Sequence, residues 1–305
     1  MGISRMIKNM YRNRELLLMS LPGVLFTFLF FYTPMVGLLL AFKNYRFDLG
    51  FWGSEWIGFK NFEFLFRSDN LERITRNTLG YNVTFITLST VGALALAVML
   101  NEIKRGWVKF HQTVLFFPYF VSAVVVGIIA TSFLDHQYGF ANYLLTSMGK
   151  EPVAWYHEAS YWPFILVIVV MWKSLGFKAL IYFAGIMAIS PSLYEAARID
   201  GASKWKLVTN ITLPSLTPLI VILLILDIGT IFNADFGIFY FTPNDSSFLY
   251  STTDVIDTYT YRALRVLGDF GMPTAVGLYQ SCVGFICVLT ANLIVRKLSS
   301  DNALW

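Results

Sequence analysis

Six stretches of this sequence are too long and too uniformly apolar for the elements of a water-soluble protein. They run over 16–42, 78–100, 113–134, 161–189, 214–241 and 273–295. An α-helix needs roughly 20 predominantly apolar residues to cross a hydrocarbon core of about 30 Å, and each stretch reaches that length. Composition agrees, with 56% hydrophobic and only 14% charged residues, against about 25% charged in ordinary soluble domains. The expected fold is therefore all-α and integral to the membrane, with six transmembrane helices. Barrel strands alternate apolar and polar residues over about ten positions, so continuous runs exclude a β-barrel. The same distribution excludes a soluble globular fold, a disordered chain and a nucleic-acid binder with a basic face.

The first stretch follows Arg5, Lys8, Arg12 and Arg14. That resembles a signal peptide, but the run is too long and no small-residue cleavage site follows, so it reads as a retained span. Orientation follows Lys and Arg. With the N-terminus in the cytosol, the inside segments 1–15, 101–112, 190–213 and 296–305 hold twelve Lys and Arg, against nine in the longer outside segments. Both termini are thus expected in the cytosol. The chain divides into a cytosolic segment 1–15, one six-span domain over 16–295 and a tail 296–305. The net charge of +4 reflects this topology. Aromatics at Trp56, Phe59, Phe62, Phe64 and Phe66 suggest a short interfacial helix before the second span.

Little points to metal or catalytic chemistry. His111, His136 and His157 lie in separate loops, and Tyr161 stands where His157-Glu158 would need a second histidine to form a zinc-protease motif. Cys282 and Cys287 are five apart in the last span and read as two small buried hydrophobes. No catalytic or metal-binding residue is expected.

The informative segment is the cytosolic connection 190–214. Ser192 and Glu195 have capping-box spacing after Pro191, Gly201 suits a left-handed helix stop, and Ser203 suits the cap of a second helix. A compact helix–turn–helix on the cytosolic face is expected. Glu195-Ala196-Ala197, three residues, Gly201, nine residues, then Ile211-Thr212-Leu213-Pro214 resembles at every interval the loop motif of ABC importer permeases. The likeness extends to Pro22-Gly23, to Trp56-Ile57-Gly58-Phe59-Lys60-Asn61-Phe62, to Ile199-Asp200-Gly201-Ala202, and to Thr258-Tyr259-Thr260-Tyr261-Arg262 followed by Thr274-Ala275-Val276-Gly277-Leu278. Within that family it is most similar to the maltose-type, carbohydrate-uptake permeases, in the branch importing oligosaccharides of complex polysaccharides.

The resemblance implies a type I importer permease in the bacterial inner membrane. A second homologous permease, two ATPase subunits and an extracytoplasmic solute-binding protein would complete it. It implies that Glu195, Ala196, Ala197, Asp200 and Gly201 couple to the ATPase, with Glu195 the polar contact, the alanines the close-packing surface and Gly201 the turn. The sequence contains no phosphate-binding G-x-x-x-x-G-K-[ST] loop, so ATP and Mg belong to partner subunits and no cofactor is expected on this chain.

Charged groups at membrane depth are costly and usually face a cavity or a partner. Lys173 lies about 18 Å from the outer end of the fourth span and Asp227 about 20 Å from the inner end of the fifth, counting about 1.5 Å per residue. Trp172, Lys173, Lys178, Asp227, Thr230, Asn233, Asp235 and Phe236 are the candidate pathway residues. Asp227, Thr230 and Asp235 share an arc of about 140° on one continuous helix. Phe232 and Tyr182 add aromatic faces for sugars, while Gly229 and Gly237 leave room for a ligand. The alternative for each is a structural ion pair or helix packing. Lys173 with Asp227 is the cheaper pairing, since both sit near the midplane. A span lysine that binds cargo instead would make an acidic oligosaccharide the natural substrate. The competing functions are the same fold importing a non-carbohydrate solute, and a membrane enzyme using Lys173 and Asp227 as acid and base.

Overall fold

The computed structural model describes residues 12–63, 69–299 and 303–304. Arg5 and Lys8 of the N-terminal segment and Phe64 and Phe66 of the aromatic segment therefore lie outside the described residues. Among the described residues, five helices are long and apolar enough to cross a membrane, or six if one sharply bent pair forms a span.

The chain divides into two compact units, one of residues 1–66 with 263–279 and the other of 67–262 with 280–305. In the first, α1 (Arg14–Thr27) passes into a π-helical turn (Phe28–Tyr32) and a 3-10 run (Thr33–Phe42), the 3-10 run carrying Pro34 in its first turn. A minimal hairpin follows, β1 (Lys43–Asn44) pairing antiparallel with β2 (Glu55–Trp56). The aromatic segment is not the expected interfacial helix. Trp56 is in β2, Gly58 turns with φ +62°, and only Lys60–Phe62 form a 3-10 turn. The aromatics instead gather on Phe42, whose ring is 5.5 Å from Trp56 and 5.4 Å from Phe59. Asn61 Nδ2 donates to the carbonyls of Leu40, Ala41 and Lys43, satisfying acceptors left open where the first helix stops.

The second unit is built on α2 (Asp69–Glu102), α3 (Arg105–Phe116), α4 (Ala123–Leu134), α5 (Phe140–Ser147) and α6 (Trp162–Met187). After α6 come α7 (Pro191–Ile199), α8 (Lys204–Leu207), α9 (Leu213–Gly229), α10 (Phe236–Phe241) and α11 (Ile256–Arg262). The last helix, α12 (Gly271–Leu298), begins in the first unit and continues in the second. One buried cluster joins Ala93, Ala97 and Leu100 of α2 to Ala179, Tyr182 and Ile186 of α6 and Leu216 of α9. The alanines let the helices approach closely, the usual route to association where lipid removes the hydrophobic drive. A second cluster holds Tyr81, Val126, Trp162, Leu166, Ile238 and Phe239.

Two expected spans are not straight. The third is broken: the helices Gly106–Phe120 and Ala123–Leu134 meet at 94°. Pro118 cannot donate to a helix ladder and blocks its continuation. The chain extends at Val121, and Ser122 caps α4, its Oγ accepting from Val125 N–H at 3.3 Å. The fifth stops at Gly229 rather than running to 241. Its freed carbonyls are taken by side chains: Asn82 donates to Ile231 O (2.8 Å) and Asn233 O (3.0 Å), and Gln280 to Phe232 O (2.6 Å). Irregular backbone at membrane depth survives only when so satisfied.

Glycine permits the tightest crossing. A Cβ on Gly176 of α6 would sit 1.8 Å from the Leu115 carbonyl oxygen of α3. Gly176→Val should therefore separate α3 from α6 and abolish recovery of folded protein. Detergent-solubilised yield and thermal stability of the variant check this.

Cys282 is exposed and Cys287 half-buried, both free, so Cys282 is not the buried hydrophobe expected.

Candidate functional site

The 190–214 segment forms the expected helix pair, with one change of detail. The first helix starts on Pro191, with Ser190 at its N-cap position but making no side-chain capping bond; Ser192 Oγ meets Ser190 Oγ at 2.8 Å rather than closing a capping box with Glu195. Pro at the first helical position fixes the entry, because its missing N–H is an orphan there anyway. The stop is a full Schellman motif: Ala202 N–H donates to Ala197 O (2.9 Å), Gly201 N–H to Arg198 O (3.0 Å), and Gly201 has φ +78°. Ser203 then caps α8, accepting from Lys206 N–H at 3.4 Å.

Two polar contacts fix this projection. Tyr194 Oη lies 3.0 Å from Thr212 Oγ1, and Lys204 Nζ lies 2.5 Å from Glu102 at the end of α2. Three large apolar side chains are exposed on it: Leu193, Ile199 and Trp205 are 51%, 87% and 74% exposed. Glu195, Ala196, Asp200 and Gly201 are exposed, with Ala197 half-buried. The Glu195 carboxylate has no hydrogen bond or ion pair among the described residues. A cavity of about 650 Å³ opens beside it, lined by Glu195, Arg198, Lys204, Glu102 and Lys109 among others.

At membrane depth the expected pairing is corrected. Asp227 of α9 pairs with Lys178, not Lys173, at 2.5 Å. Lys178 also donates to Ser89 Oγ (3.0 Å) and Thr90 Oγ1 (3.1 Å) of α2. All three ammonium donors are thus used, and one residue ties α2, α6 and α9 together. Asp227 and Thr230 line a cavity of about 140 Å³ with Asn82, Phe85, Ser89 and Ser174. Lys173 lies five residues from Lys178, about 140° around the helix, which removes it from Asp227. Its ammonium donates to Tyr119 O at 3.1 Å and stands 5.5 Å from the Tyr119 ring. A cation there also meets the partial negative charge of a helix C-terminus, that of the broken third span.

The other pathway candidates separate. Trp172 is 46% exposed. Thr230 Oγ1 donates to Asp227 O (3.1 Å), and Asn233 offers its carbonyl to Asn82. Asp235 caps α10, accepting from Ile238 N–H at 3.1 Å, and Phe236 stacks 5.1 Å from Tyr240 and 4.7 Å from Tyr261. Asp235 therefore shares no helical arc with Asp227, because α9 ends between them. Tyr182 is fully buried and offers no face to a sugar. Gly229 and Gly237 serve packing, since their Cβ atoms would meet Val288 and Ala123 at 2.6 Å.

Asn82, Ser89, Thr90 and Gln280 were not singled out from the sequence, although Asn82 and Ser89 stand seven apart on one helix face. A polar cluster in the 242–272 segment was missed too. Asp254, 1% exposed, binds Arg262 and Arg73, the latter at 3.0 Å, and Arg262 also meets Asp245 at 2.9 Å. Burial opposes the Arg262 charge, but Asp254, Tyr250 and Asp245 around it hold its pKa above the ordinary value. Burial pushes the Asp257 carboxyl above the usual carboxylate range, although Ala234 N–H at 2.7 Å and Gln280 favour its charged form. The acid–base pair that a membrane enzyme would need, Lys173 with Asp227, is not formed.

Comparisons with known proteins agree with this geometry. Residues 1–299 match the family described as the binding-protein-dependent transport system inner membrane component. Protein LplB of Bacillus subtilis (strain 168) is 35% identical over 302 residues, covering 99% of this chain and 94% of LplB. The polygalacturonan/rhamnogalacturonan transport system permease protein YteP of the same organism is 34% identical over 299 residues, covering 98% and 92%. A chain in the crystal structure of a bacterial ABC transporter involved in the import of the acidic polysaccharide alginate superposes with a TM-score of 0.87 at 33% identity, over 97% of this chain and 99% of that one. A bacterial alginate ABC transporter in complex with an alginate pentasaccharide-bound periplasmic protein gives 0.86. With its apolar spans, its loop motif and a match over nearly its whole length, this chain belongs to the family of binding-protein-dependent transport system inner membrane components.

Proposed function

We propose that this chain is one permease half of an ATP-driven importer of oligosaccharides, oriented with both termini in the cytosol. The 190–214 loop is its seat on an ATPase subunit. The observation that carries the coupling role is the loop itself. A fully satisfied Schellman turn ends the helix that carries Glu195, a carboxylate with no partner among the described residues, in a segment that also exposes Leu193, Ile199 and Trp205. Large exposed apolar side chains on a short helix pair mark a protein interface, and an acid without a partner among the described residues supplies a specific polar contact. Carbohydrate as the cargo rests on similarity to YteP and to the alginate transporter. A second homologous permease and a solute-binding protein complete the assembly, and ATP and Mg act on the ATPase subunits.

Of the candidate pathway residues, Trp172 and Lys173 are assigned to the route. Lys178, Asp227 and Thr230 hold the helices behind it, and Asn233, Asp235 and Phe236 shape the break after α9. The cavity of about 140 Å³ beside Asp227 is too small for a chain of sugars, whereas Trp172 beside Lys173 is 46% exposed.

Cysteine labelling and cross-linking test the assignment. In a background with Cys282 and Cys287 replaced by serine, Lys60→Cys should react only from outside and Lys204→Cys only from inside. Ile199→Cys should cross-link to a co-expressed ATPase subunit. Reaction of both lysine replacements from one side, or no cross-link in an assembled complex, contradicts it.

A further inference from the structure

We infer that Lys173 is the residue that reads negative charge on the cargo, so that the oligosaccharide carried is a uronate or similarly acidic chain. This rests on the oligosaccharide reading above and adds the charge of the substrate to it.

Helices α6 and α9 carry three charged side chains: Lys173, Lys178 and Asp227. Asp227 neutralises Lys178 at 2.5 Å, which leaves one positive charge, Lys173. No carboxylate among the described residues lies within ion-pair distance of it. Of the three donors on its ammonium, one goes to the Tyr119 carbonyl and two have no partner among the described residues. A charge at membrane depth is stable only with a partner or in a polar pathway, and this half-buried one has a carbonyl and a ring of Tyr119 but no carboxylate among the described residues.

The surroundings suit a sugar acid. The Tyr119 and Phe177 rings stack at 4.5 Å and 15°, and Phe116 continues the stack at 5.8 Å from Tyr119. Tyr119, Phe177 and Trp172 are 42%, 36% and 46% exposed, so aromatic surface is accessible beside the ammonium. Flat rings receive the apolar face of a pyranose, and an ammonium at their edge receives its carboxylate. Toward the cytosolic end of the same α6 face lies a cavity of about 500 Å³, walled by Phe116, Leu180, Phe183 and Met187, with Lys109 and Gln112 on its rim. Lys173 thus shares one side of α6 with Leu180 and Met187 of that cavity, about two and four turns further on, the side turned away from the Lys178–Asp227 pair.

The test uses the complete complex with Cys282 and Cys287 replaced by serine and a reporter cysteine at Leu180→Cys, about two helical turns from Lys173 on the wall of that cavity. Millimolar tetragalacturonate should slow alkylation of that cysteine, and maltotetraose of equal length should not. A charge-assisted contact in a partly desolvated site separates the two by about tenfold or more. Lys173→Met should remove the difference and Lys173→Arg should keep it, whereas a purely structural lysine would leave the ratio unchanged. Equal protection by both oligomers would overturn the charge assignment while leaving the oligosaccharide reading intact. Protection by neither, in a complex that takes up oligosaccharide with ATP, would overturn the placement of the site. Absence of any oligosaccharide uptake by the wild-type complex would instead count against the oligosaccharide reading itself.

Discussion

Gly201→Val is expected to leave the protein inserted and assembled but to disconnect ATP hydrolysis from transport. Gly201 holds φ +78°, where a β-branched residue is strained by about 1–2 kcal/mol. That shifts the population of the correctly turned loop by a factor of about 5–30. No heavy atom outside its own turn lies within 4 Å of the position where a Cβ would be, so the effect is on backbone conformation alone. The Schellman bonds from Ala202 and Gly201 would break, and α7 and α8 would lose their fixed angle. Asparagine tolerates the left-handed region better, so Gly201→Asn should fall between wild type and valine. Substrate-stimulated hydrolysis measured in the intact complex checks the series. Wild-type stimulation in the valine variant would show that the turn does not transmit coupling.

The second large effect concerns the pair at depth. Lys178→Met leaves Asp227 without its cation, and removing one partner of a buried ion pair costs about 3–5 kcal/mol. The Asp227 side chain is 34% exposed, which places the loss at the lower end of that range. A double variant, Lys178→Met with Asp227→Leu, removes both charges and should recover most of the stability, because an apolar replacement of a whole buried pair is often neutral. Thermal unfolding of the purified complex distinguishes the cases. A double variant no more stable than the single one would mean that Asp227 has a further partner.

The spans were legible because the bilayer imposes one requirement, length and apolarity, that each stretch meets locally. The loop motif was legible because a Schellman turn, a proline start and a serine cap are also local. What escaped was long-range. The break at Pro118 is stabilised by Lys173, 54 residues away, and the stop after Gly229 by Asn82, 149 residues from Ile231, and by Gln280, 48 residues from Phe232. A proline or glycine in a span signals a bend only when side chains elsewhere take up the freed carbonyls. The identity of Asp227's partner failed for a related reason. Lys173 and Lys178 differ by about 7.5 Å in depth, too little for depth to choose between them. The choice lies in their separation of about 140° around α6, together with Ser89 and Thr90 waiting on α2.

The central claim is that this chain carries oligosaccharide only as part of an ATP-driven assembly. Its most direct test is uptake of a labelled uronate oligomer into proteoliposomes containing this chain, its companion permease and the ATPase subunits, with solute-binding protein outside and ATP inside. Accumulation should occur with the full set and stop when ATP, the binding protein or this chain is omitted. Uptake that persists without ATP, or chemical turnover of the oligomer by this chain alone, would contradict the account.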